Sequence, residues 1–144
     1  QHILDTDLLI GAVLLPGAKT PYLVSEAMVK QMQPGSVIVD VAIDQGGCVE
    51  TSHVTSHSDP VYLKHDIVHY CVSNMPGAYP RTSTIALTDA TLAYIIELAN
   101  KGISALTENK AFAKGVNTYD GKIAYKSVAE AYDMQNLYQS FFEY

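Results

Sequence analysis

The sequence predicts an α/β fold built on a parallel sheet. Three observations carry that expectation. Continuous apolar runs at residues 7–15 (DLLIGAVLL), 37–42 (VIVDVA) and 67–72 (IVHYCV) read as strands covered on both faces. A helical segment separates the first two with short connections, the strand–helix–strand order of a parallel sheet. Each run also ends in a loop bearing Pro, Gly or Asp, at residues 14–17, 44–47 and 73–77. Loops at the carboxyl edge of such a sheet form the usual ligand crevice.

The elements follow in order. Residues 7–15 stop at Pro16-Gly17, a strand running into a loop. Ser25 heads a helix reaching about Met32. Its hydroxyl suits an N-cap, Ala27, Met28, Val29 and Met32 are the apolar positions, and Pro34-Gly35 ends it. The second strand, residues 37–42, breaks abruptly into Ile43-Asp44-Gln45-Gly46-Gly47. Residues 50–60 are polar, hold His53, His57 and Asp59-Pro60, and read as a surface loop. The third strand, residues 67–72, runs into Ser73-Asn74-Met75-Pro76-Gly77.

Beyond that point the pattern changes. From Pro80 to Lys101 there is no internal Pro or Gly, and Ile85, Leu92, Ile95, Ile96 and Ala99 recur at spacings that suit one helix face. Pro80 fits the first turn and Gly102 the C-terminal cap. A helix of about 20 residues spans roughly 30 Å, enough to pass between two domains. A short helix over residues 104–109, a hairpin over 116–125 around Asp120-Gly121, and a last helix from a Ser127 cap to about Tyr132 complete the order. The aromatic tail, with Tyr138, Phe141, Phe142 and Tyr144, reads as a packing segment. The natural division places residues 1–78 in one domain and residues 79–144 in another.

Composition narrows the classes. The 144 residues suit one ordinary domain, and 48% hydrophobic with 17% charged residues supports a substantial core. A net charge of −6 argues against a binder of nucleic-acid phosphates. No apolar run approaches the roughly 20 residues of a membrane helix. The start, Gln1-His2-Ile3-Leu4-Asp5, lacks the basic and apolar regions of a signal peptide. Cys48 and Cys71 are therefore read as two reduced thiols. The first residue is not Met and the chain opens almost directly into a strand, so it reads as a piece of a longer polypeptide.

The chemistry concentrates in the strand-end loops. From position alone, Asp44 reads equally well as an acid beside a ligand and as a turn-former after a strand. Asn74 offers a donor and an acceptor to a carboxamide, or simply forms a turn. Cys48, His53 and His57, with Asp59 close behind, are zinc-ligand types, but no second cluster supports them and no metal is expected. Arg81, at the start of the long helix, is read as structural rather than substrate-binding.

Residues 10–19 (IGAVLLPGAK), 30–48 (KQMQPGSVIVDVAIDQGGC), 50–52 (ETS) and 72–87 (VSNMPGAYPRTSTIAL) resemble bacterial alanine dehydrogenases. The Pro-Gly-Ser-Val-Ile-Val-Asp theme is shared with related transhydrogenase subunits. The resemblance covers almost the whole chain and weakens after about Lys101. It implies the second half of a Rossmann-type parallel sheet, then a long interdomain helix and the C-terminal part of a substrate domain. It implies a cytoplasmic, hexameric, NAD-dependent enzyme that interconverts L-alanine with pyruvate and ammonia. It assigns Asp44 as the catalytic acid. It places Val13, Leu14, Leu23, Val41, Ala42, Ile43, Asp44, Ser73, Asn74, Met75 and Pro76 against the cofactor.

The sequence holds no G-x-G-x-x-G turn for the pyrophosphate. The family's substrate-binding Arg and Lys and its catalytic His also have no match. The chain by itself is expected to be inactive. Two other classes stay open: an NAD-binding subunit of a proton-translocating transhydrogenase, and a non-catalytic nucleotide-binding module. Asp44 favours the dehydrogenase, because imine chemistry uses a carboxylate there.

Overall fold

A computed structural model describes residues 2–143, with the side chains of His2 and Glu143 left aside. Tyr144 of the tail lies outside the described residues. The chain forms two compact units, one of Gln1–Leu15 with Lys19–Ala78 and one of Pro16–Ala18 with Tyr79–Tyr144.

The first unit is built on four strands: β1 (Leu8–Gly11), β2 (Val37–Asp40), β3 (Val61–Lys64) and β4 (Ile67–Tyr70). Their order is β1-β2-β4-β3. β1 and β4 both run parallel to β2, with Leu8 opposite Val37 and Val37 opposite Val68. This is the parallel α/β core that the apolar runs predict. β3 is an addition: it pairs antiparallel with β4 across the turn His65-Asp66. Both turn residues have positive φ, 56° and 61°, the left-handed pair that a two-residue hairpin demands.

The parallel strands are shorter than their apolar runs. The β1–β2 ladder stops at Gly11 opposite Asp40, not at Leu15 and Ala42. The reason lies in Asp40. Its carboxylate is buried and accepts the backbone N–H of Cys48 at 2.9 Å and of Val49 at 3.1 Å. That demand folds the chain back on itself, so Val41–Gln45 is a 3-10 turn instead of strand. Residues 12–15 are left without a strand partner.

Helix α1 (Glu26–Val29) begins where expected. Ser25 is extended, at φ −77° and ψ 159°, and its Oγ accepts the Met28 N–H at 3.3 Å. The regular helix is only four residues, and turns carry the chain on to Met32. Val29 and Met32 reach the core with Ile38, Ala42, Cys48, Val49 and Ile67, while Leu9, Val13 and Val24 pack beside them.

The second unit opens with α2 (Pro80–Lys101), which has Pro in its first turn and ends as Gly102 N–H meets the Leu98 carbonyl at 2.8 Å. Its expected packing face is uncovered. Ile85, Leu92, Ile95 and Ile96 are each at least 46% exposed, and no residue of α2 is buried. Helices α3 (Ser104–Glu108) and α4 (Lys110–Ala113) follow. Asn109 separates them because its Oδ1 accepts the N–H groups of Ala111 and Phe112, both at 3.1 Å, starting a new helix.

The hairpin pairs β5 (Thr118–Tyr119) with β6 (Lys122–Ile123) around Asp120-Gly121, at φ 45° and 73°. Helix α5 (Lys126–Ala131) starts earlier than Ser127 predicts. Ala124 N–H still bonds the Asn117 carbonyl at 2.8 Å, and the chain turns helical straight after the extended Tyr125. Ser127 lies inside the first turn and caps nothing. Of the tail aromatics, Phe141 is buried with Leu106 and Ala113 and meets the Tyr119 ring edge-on at 5.2 Å. Among the described residues no helix is long and apolar enough to cross a membrane.

Candidate ligand cleft at the strand ends

Past the carboxyl ends of β1 and β2 lies a cleft of about 210 Å³. Ala12, Val13 and Leu14 form the side that continues β1, and Val41, Ala42, Asp44 and Gln45 form the side that continues β2. The walls are largely apolar, and Asp44 is the ionisable group in the lining. This is where ligands of open α/β sheets bind.

The turn that carries Asp44 is fixed from several directions. Gly46 N–H bonds the Ile43 carbonyl and Gly47 N–H the Ala42 carbonyl, both at 3.0 Å, and Thr20 N–H holds the Gln45 carbonyl at 2.9 Å. Gly46 and Gly47 sit at φ 98° and 78°, conformations that side chains resist. A Cβ on Gly47 would also stand 3.0 Å from Asp40 Oδ2. The two glycines thus let the chain double back to Asp40, leaving Asp44 on the exposed outer side of the turn.

A second loop reaches Asp44. The Ser73 hydroxyl, after β4, donates to Asp44 Oδ1 at 2.8 Å. Asn74 is left-handed, at φ 55°, and its carbonyl accepts Gly77 N–H at 2.8 Å and His57 Nε2–H at 2.9 Å. That closes the 3-10 turn Met75–Ala78.

Of the residues named from sequence, Val13, Leu14, Val41, Ala42 and Asp44 share the cleft, and Ser73 joins through Asp44. Ile43 is only 3% exposed and faces the core. Leu23 is exposed, with its N–H on the Cys48 carbonyl at 2.8 Å, outside the cleft lining. Asn74, Met75 and Pro76 form the loop beyond Ser73, and they too lie outside that lining. Ala12 and Gln45 belong to it and were not singled out from sequence. Neither was Asp40, although an acid within a β-branched run is itself a signal.

The thiols and imidazoles go separate ways. Cys48 is buried against Asp40, and burial first, then that neighbouring carboxyl, pushes its thiol up to about 11. His53 stacks on Tyr62 at 3.7 Å, and His57 holds the Asn74 carbonyl. Among the described residues no three His, Cys, Asp or Glu converge as metal ligands. Cys48 and Cys71 are both free thiols. Arg81 stands exposed in the first turn of α2.

A parallel α/β half-sheet with its cleft and acid at the strand ends defines the Rossmann-type class. The family model described as "Alanine dehydrogenase/PNT, C-terminal domain" matches residues 1–126, and the chain belongs to that family. It is 61% identical over 129 residues to the alanine dehydrogenase of Bacillus subtilis (strain 168), covering 88% of this chain and 34% of that protein. Against the alanine dehydrogenase of Lysinibacillus sphaericus it is 59% identical over 133 residues, covering 91% and 36%. A solved structure titled "L-alanine dehydrogenase" superposes with a TM-score of 0.75 at 51% identity, over 91% of this chain and 36% of that one. The crystal structure of transhydrogenase from Sinorhizobium meliloti gives 0.61 at 24% identity over 73% and 29%, a likeness of fold alone. The chain therefore spans about a third of the length of these curated relatives.

Proposed function

We propose that this chain is the C-terminal part of an NAD-dependent alanine dehydrogenase. The reaction is the reversible conversion of L-alanine, NAD⁺ and water to pyruvate, ammonium, NADH and a proton. One observation carries the reading: a carboxylate, Asp44, stands on the rim of an apolar strand-end cleft. The alanine dehydrogenases to which the chain is 59% and 61% identical supply the context.

The cleft suits a nicotinamide ring. Val13, Leu14, Val41 and Ala42 offer apolar walls to its faces, and Asp44 offers a negative charge to a cationic ring. When bound, NAD supplies the hydride acceptor for the alanine Cα–H. Asp44 then stabilises the positive charge that develops on the substrate carbon and nitrogen, and exchanges protons as water adds and ammonia leaves. Ser73 orients this acid, and Ser73, Asn74, Met75 and Pro76 would hold the cofactor from the loop after β4, beyond the cleft lining. Residues 1–78 form the C-terminal half of the NAD-binding domain. Residues 79–144 supply the long helix and the C-terminal part of the substrate domain. The enzyme is a cytoplasmic homo-oligomer, a hexamer. The chain alone is inactive, since it has no glycine-rich pyrophosphate turn and no match for the family's substrate-binding Arg and Lys.

The test is NADH formation from L-alanine by the full-length protein that carries this chain, beside its Asp44→Asn variant. The variant is expected to lose about 10²–10⁴-fold in kcat, the range of a lost acid–base group. Wild-type turnover in the variant would remove Asp44 from the mechanism. A parent without alanine-dependent activity would favour the transhydrogenase or the binding module.

A further inference from the structure

Among the described residues that line the strand-end cleft, Asp44 and Gln45 alone are polar. Asp44 already engages Oδ1 with the Ser73 hydroxyl at 2.8 Å. Gln45 is placed differently. Its backbone is pinned, with its carbonyl on the Thr20 N–H at 2.9 Å and the left-handed Gly46 closing the turn behind it. Its side chain is exposed, and among the described residues it meets no hydrogen-bond partner. A pinned backbone with an unengaged amide is cheap to recruit for binding, because only side-chain rotamers remain to be ordered.

The polar substituent of a nicotinamide ring is a primary carboxamide, which calls for a donor and an acceptor side by side. An ionised carboxylate only accepts, and apolar side chains offer neither; an amide side chain offers both. The other amide near the strand ends is that of Asn74, and it is placed otherwise. Asn74 lies outside the cleft lining, and its Nδ2 rests on its own loop, 3.3 Å from where a Cβ on Gly77 would stand. We propose that Gln45 is a specificity residue of the cleft: its side-chain amide pairs with the nicotinamide carboxamide, Nε2–H donating to the carboxamide oxygen and Oε1 accepting from the carboxamide nitrogen. The inference rests on the reading of this cleft as the nicotinamide site.

The experiment measures dissociation constants by titration calorimetry, on the full-length protein that carries this chain and on its Gln45→Met variant. The ligands are NAD⁺ and its 3-acetylpyridine analogue, in which a methyl group replaces the carboxamide NH₂. Met keeps the length of Gln and removes both hydrogen-bonding atoms. The ratio of the analogue's dissociation constant to that of NAD⁺ is expected to fall about 3–10-fold in Gln45→Met, the size of the one neutral hydrogen bond that the analogue cannot make. An unchanged ratio overturns the inference, whether both affinities hold or both fall alike, and the second is what a merely structural role would give. Asn74→Gly is read beside it, since Gly accepts the left-handed turn and removes the other amide. A ratio that collapses there and holds in Gln45→Met gives the carboxamide to Asn74 and overturns the inference. A parent that shows the expected pattern of binding but oxidises no alanine leaves the inference standing and removes the proposed function. A parent that binds no NAD⁺ overturns both.

Discussion

His69 shows how a single residue ties stability to pH. It lies fully buried in β4, stacked on the Tyr62 ring at 4.9 Å. Its Nδ1–H donates to the Ile67 carbonyl at 3.0 Å, so Nε2 is left to accept the Thr51 hydroxyl at 2.8 Å. That ring is neutral, and burial holds its pKa below the ordinary 6.5. The unfolded chain then binds a proton more readily than the folded one. The stabilisation is complete above about pH 6.5 and is lost as pH falls through the lower, folded value. The urea midpoint should fall on acidification from neutral pH, with a shallower slope in His69→Gln. Equal slopes in the two proteins would assign the acid sensitivity to another group. At this scale position alone leaves Asp44 evenly divided between acid and turn-former, and Ser73 enters only through the family resemblance. The sequence hides Asp40. The partners that make a buried carboxylate tolerable there are backbone N–H groups eight and nine residues on, a closure that strand periodicity does not encode.

Elements were legible where local chemistry decides them. Ser25 caps α1, Pro80 and Gly102 bracket α2, and Asp120-Gly121 turns the small hairpin. They were not legible where a distant partner decides. Strand β3 exists because β4 offers it an edge, and its His65-Asp66 turn takes the left-handed pair without the glycine that would advertise it. The strand ends of β1 and β2 moved inward for the same kind of reason, the pull of Asp40 on residues beyond the turn. The two hairpins also differ in what a mutation can reveal. Nothing lies within 4 Å of a Cβ built on Gly121, which sits at φ 73°, so Gly121→Ala meets a conformational cost alone. It should destabilise the second unit by about 1–2 kcal/mol, read as a shift in its thermal or urea midpoint. A neutral result would mean that this turn relaxes freely.

Across the whole molecule, the strand-end position of the cleft follows from parallel topology, and it was readable as soon as strand, helix and strand were ordered. The covering of outer surfaces was not. β1 is an edge strand of the four-stranded sheet, and its Leu8 and Ile10 are 53% and 60% exposed. An apolar edge of that kind invites pairing with other chains. Sedimentation velocity over rising concentration should therefore show the 144-residue chain associating, and Ile10→Lys should weaken that association. Identical behaviour of the two would place the contact elsewhere. The uncovered face of α2 is the other half of the same lesson: helical spacing identifies a face, but what that face meets is not written within the helix.

Gly11 and Cys48 stand so close that a methyl built on Gly11 would overlap the Cys48 sulfur. The last residue of β1 is bare because a thiol fills its place from the neighbouring chain segment. In a close-packed interior neither volume can grow alone. The pair therefore drifts only in a set order: position 48 must shrink before position 11 can enlarge. A sequence that reverses that order passes through an overfilled core beside the cleft.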